Sequence, residues 1–352
     1  MLFFLSIFFI SFFVVIIVTP LIILISKKNE IFDHPDESRK FHNFPTPTLG
    51  GVGIFFGISS SIILYTALGS FSTILYLIFF SCLFILVVGV IDDYFELQAW
   101  KKALAQLTIV IVIILFGKVE INSMHGVFYI YALSDNVSII LTAFTMLLII
   151  NSFNLIDGID GLAGILGLVM AIFFSIYFYL DTQIAFSLLS LSLAGSLLAF
   201  LYFNLSNSRI FMGDGGSMLL GLLLSILSIH FIECAPRSDV WVIKNSPAIC
   251  IAFLAIPILD TLRVFFLRLM KGKSPFSPDR NHIHHLLEKI GLTHLQICLL
   301  LAGCTILLVA FIFFITPWLN ITCSIILISL LYFLFVLFVF LRSQTKNRVL
   351  KN

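Results

Sequence analysis

Apolar residues come in long blocks along this chain, broken by short polar clusters, and the blocks show no two-residue alternation of the kind a half-buried strand requires. A helix needs roughly 20 apolar residues to cross the hydrocarbon core of a bilayer. Eleven runs approach that length, near residues 2–25, 49–68, 72–91, 103–117, 137–151, 160–180, 184–203, 213–232, 246–268, 295–316 and 319–341. The pattern therefore predicts an all-α integral membrane protein with about eleven transmembrane helices. The first run, Leu2 to Ile25, is longer than the roughly 7–15 residues of a signal-peptide core and lacks a basic leader and a small-residue cleavage site. It is expected to stay as a span. Between the fourth and fifth runs, Val127-Phe128-Tyr129-Ile130-Tyr131 follows a His-Gly turn signal, which predicts a small hairpin on the membrane surface. No repeat stands out, so residues 1–352 read as a single polytopic domain, with residues 269–294 as its longest polar loop.

Composition agrees. The 352 residues are 60% hydrophobic and 11% charged, against about 25% charged in soluble domains. A net charge of +2 gives no reason to expect a nucleic-acid partner. The positions of the charges matter more. With the N-terminus outside, 17 of the 20 Lys and Arg fall in loops on one side, and only Lys118, Arg237 and Lys244 fall on the other. Cytoplasmic loops retain positive charge, so the N-terminus is expected in the periplasm and the C-terminus in the cytoplasm. The six cysteines show no metal-ligand spacing and read as buried apolar residues.

Against this background the polar clusters stand out, because an ionisable side chain at membrane depth costs about 2.5–3.5 kcal/mol on insertion scales. All of them fall on the predicted cytoplasmic side. Asp92-Asp93 ends the third run, with Lys101-Lys102 opening the fourth. Adjacent carboxylates repel unless a cation or a shared proton offsets them, although a solvated loop with one capping aspartate would look the same. The segment Asn151 to Ala163 carries Asn154, Asp157 and Asp160 at intervals of three, which on a helical turn would share one face. Next comes Gly213-Asp214-Gly215-Gly216-Ser217, a glycine-rich turn at the start of a span. Free N–H groups there would suit phosphate, and the aspartate would suit Mg²⁺.

The longest polar loop, Lys271 to His294, contains Asp279-Arg280-Asn281-His282-Ile283-His284-His285. Its donors suit phosphate and sugar hydroxyls. A zinc site is the competing reading, weakened by the lack of nearby cysteines. A basic segment, with Arg39, Lys40 and His42, precedes Gly50-Gly51-Val52-Gly53 and reads either as a positive-inside anchor or as a substrate loop. Together these residue types describe a site for Mg²⁺ and a diphosphate beside the lipid, which suits phosphoryl transfer to or from a membrane-resident molecule.

Asp92-Asp93 with Lys102, the Asn154-to-Ala163 segment, the Gly213-to-Ser217 turn and the histidine loop, in that order, closely resemble the polyprenyl-phosphate N-acetylhexosamine-1-phosphate transferases, the glycosyltransferase 4 or MraY–WecA type. The loop from Ser274 to His285 and the eleven spans resemble the branch that uses UDP-N-acetylglucosamine more than the one that takes the muramyl-pentapeptide nucleotide. The resemblance implies undecaprenyl phosphate as acceptor, UDP-GlcNAc as donor, UMP as leaving group, and a product that starts O-antigen or a related envelope glycan in the bacterial inner membrane. It implies Mg²⁺, with Mn²⁺ as a substitute, on Asp214, with Asn154 as second ligand or diphosphate contact. Asp157 and Asp160 would hold nucleotide or sugar, and Arg280, His282, His284 and His285 would grip the diphosphate and amino sugar. Asp92 and Asp93 would orient or deprotonate the lipid phosphate, with Lys102 neutralising phosphate charge. A single in-line displacement is favoured over a covalent carboxylate intermediate. Another amino-sugar donor is the near alternative. An ion-coupled transporter is the distant one, disfavoured because its acids would lie near the bilayer midplane. The Gly50 patch would pack helices either within one protomer or across a homodimer.

Overall fold

The computed structural model describes residues 2–28, 46–69, 71–206, 208–274, 279 and 281–349. Arg39, Lys40, His42 and Arg280 lie outside the described residues. Among those described, the chain forms twelve α-helices and no strand: α1 (Leu2–Lys28), α2 (Gly50–Ala67), α3 (Thr73–Phe95), α4 (Ala99–Gly117), α5 (Asp135–Ile156), α6 (Leu162–Leu180), α7 (Ile184–Asn204), α8 (Gly213–Cys234), α9 (Ser246–Met270), α10 (Ile283–Ile290), α11 (His294–Ile315) and α12 (Ile321–Val349). All but α10 are long and apolar enough to cross a membrane, which makes eleven spans. The helical outcome follows from the solvent, because in hydrocarbon each backbone N–H and C=O must be satisfied within its own segment or a closed barrel.

Three helices run past their apolar blocks into the polar clusters. Asp92 and Asp93 lie in the last turn of α3, Lys101 and Lys102 in the first turn of α4, and Asn151 and Asn154 in the last turns of α5. Once a helix exists, adding residues costs little, so ladder bonds continue until a residue stops them. Glu96 stops α3 by turning left-handed (φ 46°) and donating its N–H to the Asp92 carbonyl at 2.9 Å.

Helices α7 and α8 form the middle of the bundle, with 78% of their apolar windows buried, whereas α1, α4 and α12 lie at the periphery with 28%. Small residues let α8 approach its neighbours closely. A Cβ added to Gly89 of α3 would stand 2.3 Å from the Gly215 Cα, and one on Gly51 of α2 would stand 2.3 Å from the Gly216 Cα. Gly53 likewise faces Thr19 of α1. The Gly50 patch is therefore used within the protomer, as close packing of α2 on α1 and α8.

At the opposite end from the polar clusters, residues 119–134 double back as expected, with one bridge between Ser123 and Ala132. The alternating segment does not form strands. Residues Val127–Tyr129 make a single 3-10 turn, because Phe128 and Tyr129 are both left-handed (φ 50° and 63°) and turn the chain where a strand would extend it. The cysteine expectation also holds only in part: Cys82, Cys250 and Cys298 are buried, Cys234 and Cys304 half-buried, and Cys323 exposed, all unpaired.

Candidate active site

Four elements bring the first group of expected residues together. Lys102 of α4 reaches between α3 and α8, bonding Asp92 Oδ2 and Asp214 Oδ2, the latter at 2.6 Å. Asn154 of α5 donates its amide N–H groups to Asp214 Oδ1 and Ser217 Oγ, each at 2.9 Å. Asp92 also accepts the Leu97 N–H at 2.8 Å and leaves only 5% of its side chain exposed, whereas Asp214 leaves 35%. Asp214 is thus the carboxylate of this pair that solvent or a ligand can reach. Behind them Asn151 donates to Gln106 Oε1 at 2.9 Å, extending the polar contact between α4 and α5.

The glycine-rich turn opens α8 as expected, but one of the N–H groups anticipated for phosphate is already taken. The Asp214 N–H donates to Asp93 Oδ1 at 2.9 Å, so a carboxylate from α3 caps the positive end of α8. Oδ2 of Asp93 makes no hydrogen bond among the described residues. At Gly213, φ is +71° and a Cβ would come within 2.0 Å of the Thr48 carbonyl oxygen, so only glycine fits. Gly215 and Gly216 are needed for helix packing rather than for cradling an anion.

The interval-of-three reading of Asn154, Asp157 and Asp160 needs correction. Helix α5 ends at Ile156, Asp157 is its C-cap, and Gly161 turns left-handed (φ +83°) before α6, so the three do not share a helical face. Asn154 joins Asp214. Asp157 accepts no hydrogen bond among the described residues, and burial, then the charges of Asp214, Asp160 and Asp93, push its carboxyl well above the usual carboxylate range. Asp160 turns away to accept from Ser208 Oγ and to meet His294 Nδ1 at 3.2 Å. His294 in turn meets Glu288 at 3.2 Å, and Glu288 meets His285 Nδ1 at 2.8 Å. This relay ties the α5–α6 turn to the histidine segment. Neither His294 nor Glu288 stands out in the sequence.

The histidine segment is not a plain loop. Residues Ile283–Ile290 form α10, with His282 at its N-cap. The three histidines expected to act alike have different surroundings. His282 Nδ1 meets Asp260 Oδ2 at 2.8 Å, and His285 is held by Glu288, which the His285 and His294 rings lower to about 2 despite burial. His284 is 1% exposed and lies under Gly158, where an added Cβ would stand 2.7 Å from its Nε2. Neither of its ring nitrogens has a partner among the described residues. Burial, then the neighbouring His285 and His282, push it down to about 3. Ahead of α10, Asp279 meets Arg268 twice, at 3.0 and 3.2 Å.

Asp260 is the residue that reading the sequence misses. It is fully buried in α9. The rule used for the other acids would find it: Asp260 and Arg263 form an ionisable i, i+3 pair inside an apolar run, and such residues are rare unless used.

No group of three His, Cys, Asp or Glu side chains converges on one point among the described residues. That does not suit a closed zinc site, which needs about four protein ligands. It does suit Mg²⁺, which takes one or two carboxylates and completes its shell with water and substrate phosphate. Asp214, reachable and beside the unpartnered Asp157, has the hard oxygen donors required.

Eleven spans with a carboxylate-rich, lysine-bridged site at one end of the helical bundle define a multi-pass membrane protein. Residues 74–232 match the model of glycosyl transferase family 4. The chain is similar to the decaprenyl-phosphate N-acetylglucosaminephosphotransferase of Mycobacterium leprae, 32% identical over 80% of this chain and 76% of that protein. It is 34% identical to the enzyme of the same name from Mycolicibacterium smegmatis, over 75% and 70% of the two chains. To the undecaprenyl-phosphate alpha-N-acetylglucosaminyl 1-phosphate transferase of Escherichia coli K12 it is 28% identical, over 77% and 73%. The chain belongs to glycosyl transferase family 4. The matched residues take in the whole acidic cluster and stop short of Asp260 and the histidine segment.

Proposed function

We propose that this protein transfers N-acetylglucosamine 1-phosphate from UDP-GlcNAc to a polyprenyl phosphate, undecaprenyl phosphate in the first instance, in the bacterial cytoplasmic membrane with the site facing the cytoplasm. An oxygen of the lipid phosphate attacks the β-phosphorus of UDP-GlcNAc. The bond from that phosphorus to the bridging oxygen breaks, UMP departs with the electron pair, and the sugar–oxygen bond is untouched. The product is a lipid-linked GlcNAc diphosphate of the kind that begins O-antigen or a related envelope glycan. One observation carries the reading: carboxylates bridged by a lysine sit at one end of the bundle, in a chain related over about three quarters of its length to phosphotransferases named for this donor sugar and acceptor class.

Phosphoryl transfer needs chiefly positioning and charge neutralisation. Asp214 would hold Mg²⁺, with Mn²⁺ as substitute, and Asn154, whose amide N–H groups face Asp214, would serve as second ligand or diphosphate contact, with Asp157 toward the nucleotide or sugar. When bound, the ion would neutralise charge on the diphosphate. Lys102 bridges Asp92 and Asp214, offsetting part of their charge, and would pair with an incoming phosphate. A single displacement is proposed, supported by Asp92 being held by Lys102 and the Leu97 N–H and by one oxygen of Asp93 capping α8. Their part is to orient. His282, His284, His285 and Arg280 would take the diphosphate and amino sugar, with Arg39, Lys40 and His42 as a further substrate loop, while Asp160 would face the nucleotide or sugar from the α5–α6 turn it braces.

The deciding experiment is a detergent assay with undecaprenyl phosphate and Mg²⁺, offering UDP-GlcNAc, UDP-GalNAc and UDP-MurNAc-pentapeptide separately and following UMP and lipid-linked sugar. UMP and labelled lipid from UDP-GlcNAc alone are expected. Turnover with only another donor would replace the sugar, and no turnover with any donor would remove the reaction.

A further inference from the structure

Asp260 gathers more bonds than any single carboxylate of the acidic cluster. His282 Nδ1 meets it at 2.8 Å, the Ile283 N–H at 3.2 Å to each oxygen, Tyr332 Oη of α12 at 3.0 Å and Arg263 at 2.7 Å. Arg263 also donates to the Asn281 carbonyl at 2.6 Å. Burying a carboxylate this completely is costly unless its lone pairs are met by good donors. Here the donors come from α9, α12 and the start of α10, and two of them belong to the histidine segment.

A brace for the fold would need the Ile283 N–H and Tyr332 but not a histidine ring. The ring changes the chemistry. With Nδ1 committed to Asp260, the plane of His282 is set and Nε2 is the ring nitrogen left for a ligand. The ring lies parallel to that of His284, with 5.7 Å between centroids and 8° between planes. His284 rests under Gly158, next in the chain to Asp157. A continuous set of contacts thus runs from α12 through Asp260 and the two rings to the turn that borders the acidic cluster.

We propose that Asp260 is a positioning residue for the transfer reaction, holding His282 so that Nε2 faces the diphosphate of the donor, with Tyr332 and Arg263 fixing the carboxylate. The inference rests on the transfer reaction proposed above. Carboxylates that orient a functional histidine typically change activity by about 10- to 100-fold when altered.

The test uses the full-length protein in detergent micelles with UDP-GlcNAc and undecaprenyl phosphate. Asp260→Asn should lower kcat about 10- to 100-fold and leave the KM for UDP-GlcNAc within about threefold, the signature of an interaction made in the transition state. His282→Gln should do the same, and the double variant should be no worse than His282→Gln alone. Tyr332→Phe removes one donor and is milder: it should lower kcat severalfold in the wild-type background and have no effect in the His282→Gln background, which keeps the test decisive if Asp260→Asn does not fold. Independent, multiplying losses in the combined variants, or a wild-type kcat in Asp260→Asn, would overturn the proposal. A wild-type protein that releases no UMP is a separate outcome, and it would remove the reaction itself.

Discussion

At the meeting of α3, α4, α5 and α8, the carboxylates of Asp92 and Asp214 share the ammonium of Lys102, while Oδ2 of Asp93 makes no hydrogen bond among the described residues and Asp157 is raised by its burial and by the charges of Asp214, Asp160 and Asp93. At the meeting of α9, α10 and α12, Asp260 meets an arginine, a histidine, a tyrosine and a backbone N–H, and Asp279 and Glu288 are each paired as well. Both groups are built around acidic side chains at the same end of the bundle. They differ in balance. The first has negative charge in excess and one carboxylate open to solvent, which makes it a place to receive a cation and a phosphate ligand. The second has its carboxylates satisfied internally, which makes it a support for the histidines it holds. A buried acid in a membrane protein therefore points to a binding site only when its partners within the protein are too few.

The largest effect should come from removing the reachable carboxylate. Asp214→Ala is expected to lower Mg²⁺-dependent turnover by at least about 100-fold, the scale set by loss of one preorganised electrostatic group; UMP release near the wild-type rate would take Asp214 out of the site. Lys102→Met tests the balance directly. It should cost about 10- to 100-fold at low Mg²⁺, with partial recovery as Mg²⁺ is raised, because a divalent cation can offset the charge that the lysine leaves behind. An activity curve against Mg²⁺ parallel to that of wild type would break the comparison.

Where the two regions touch, the effect should be on packing. Gly158→Ala forces a Cβ to within 2.7 Å of His284 Nε2, and overpacking of this kind costs about 1–3 kcal/mol. The thermal midpoint in detergent should fall and should recover when His284→Ala is added; failure to recover would mean that another contact is responsible.

His284 also sets a pH dependence. Its pKa is about 3 in the folded protein against 6.5 ordinarily, so the unfolded chain binds the proton first as pH falls. Stability from this group is complete above about pH 6.5 and is lost between there and about pH 3. Glu288, held near 2 against 4.5, loses its contribution only over the lower window from about 4.5 to 2. Unfolding temperatures measured between pH 7 and 5 should decline in wild type and flatten in His284→Gln; an equal decline in both would assign the slope elsewhere. Smallest of all, Ser208→Ala should cost only about 1 kcal/mol, the net worth of one hydrogen bond, through its contact with Asp160.

Much of this protein is legible in its residues alone. Apolar blocks near 20 residues predict the eleven spans to within a few residues, because hydrocarbon leaves the backbone no alternative. Alternate crossing then puts the clusters of Asp92, Asp157, Asp214 and His282 at one end. Less is legible within the clusters. Taken alone, the glycines of Gly213-Asp214-Gly215-Gly216 read as an anion cradle, whereas Gly51 and Gly89 pack against two of them and turn them to helix contact. Asp157 and Asp160, three residues apart, read as partners of Asn154 on one face, but the helix ends between Asn154 and Asp157. Residues 127–131 alternate like a strand, yet two left-handed residues turn them.

The sequence by itself determined the solvent, the number of crossings, the end of the bundle that holds the chemistry and the residue types present there. Each of these follows from one-dimensional quantities: block length, charge position and the cost of an ionisable group in lipid. Only the tertiary structure decided which acid meets which base. Lys102 and Asp214 are 112 positions apart, and Asp260 and Tyr332 are 72 apart. No local pattern encodes such pairings, because they depend on which faces of the helices pack together, and that is set by small residues such as Gly51, Gly89 and Gly216 letting the backbones approach.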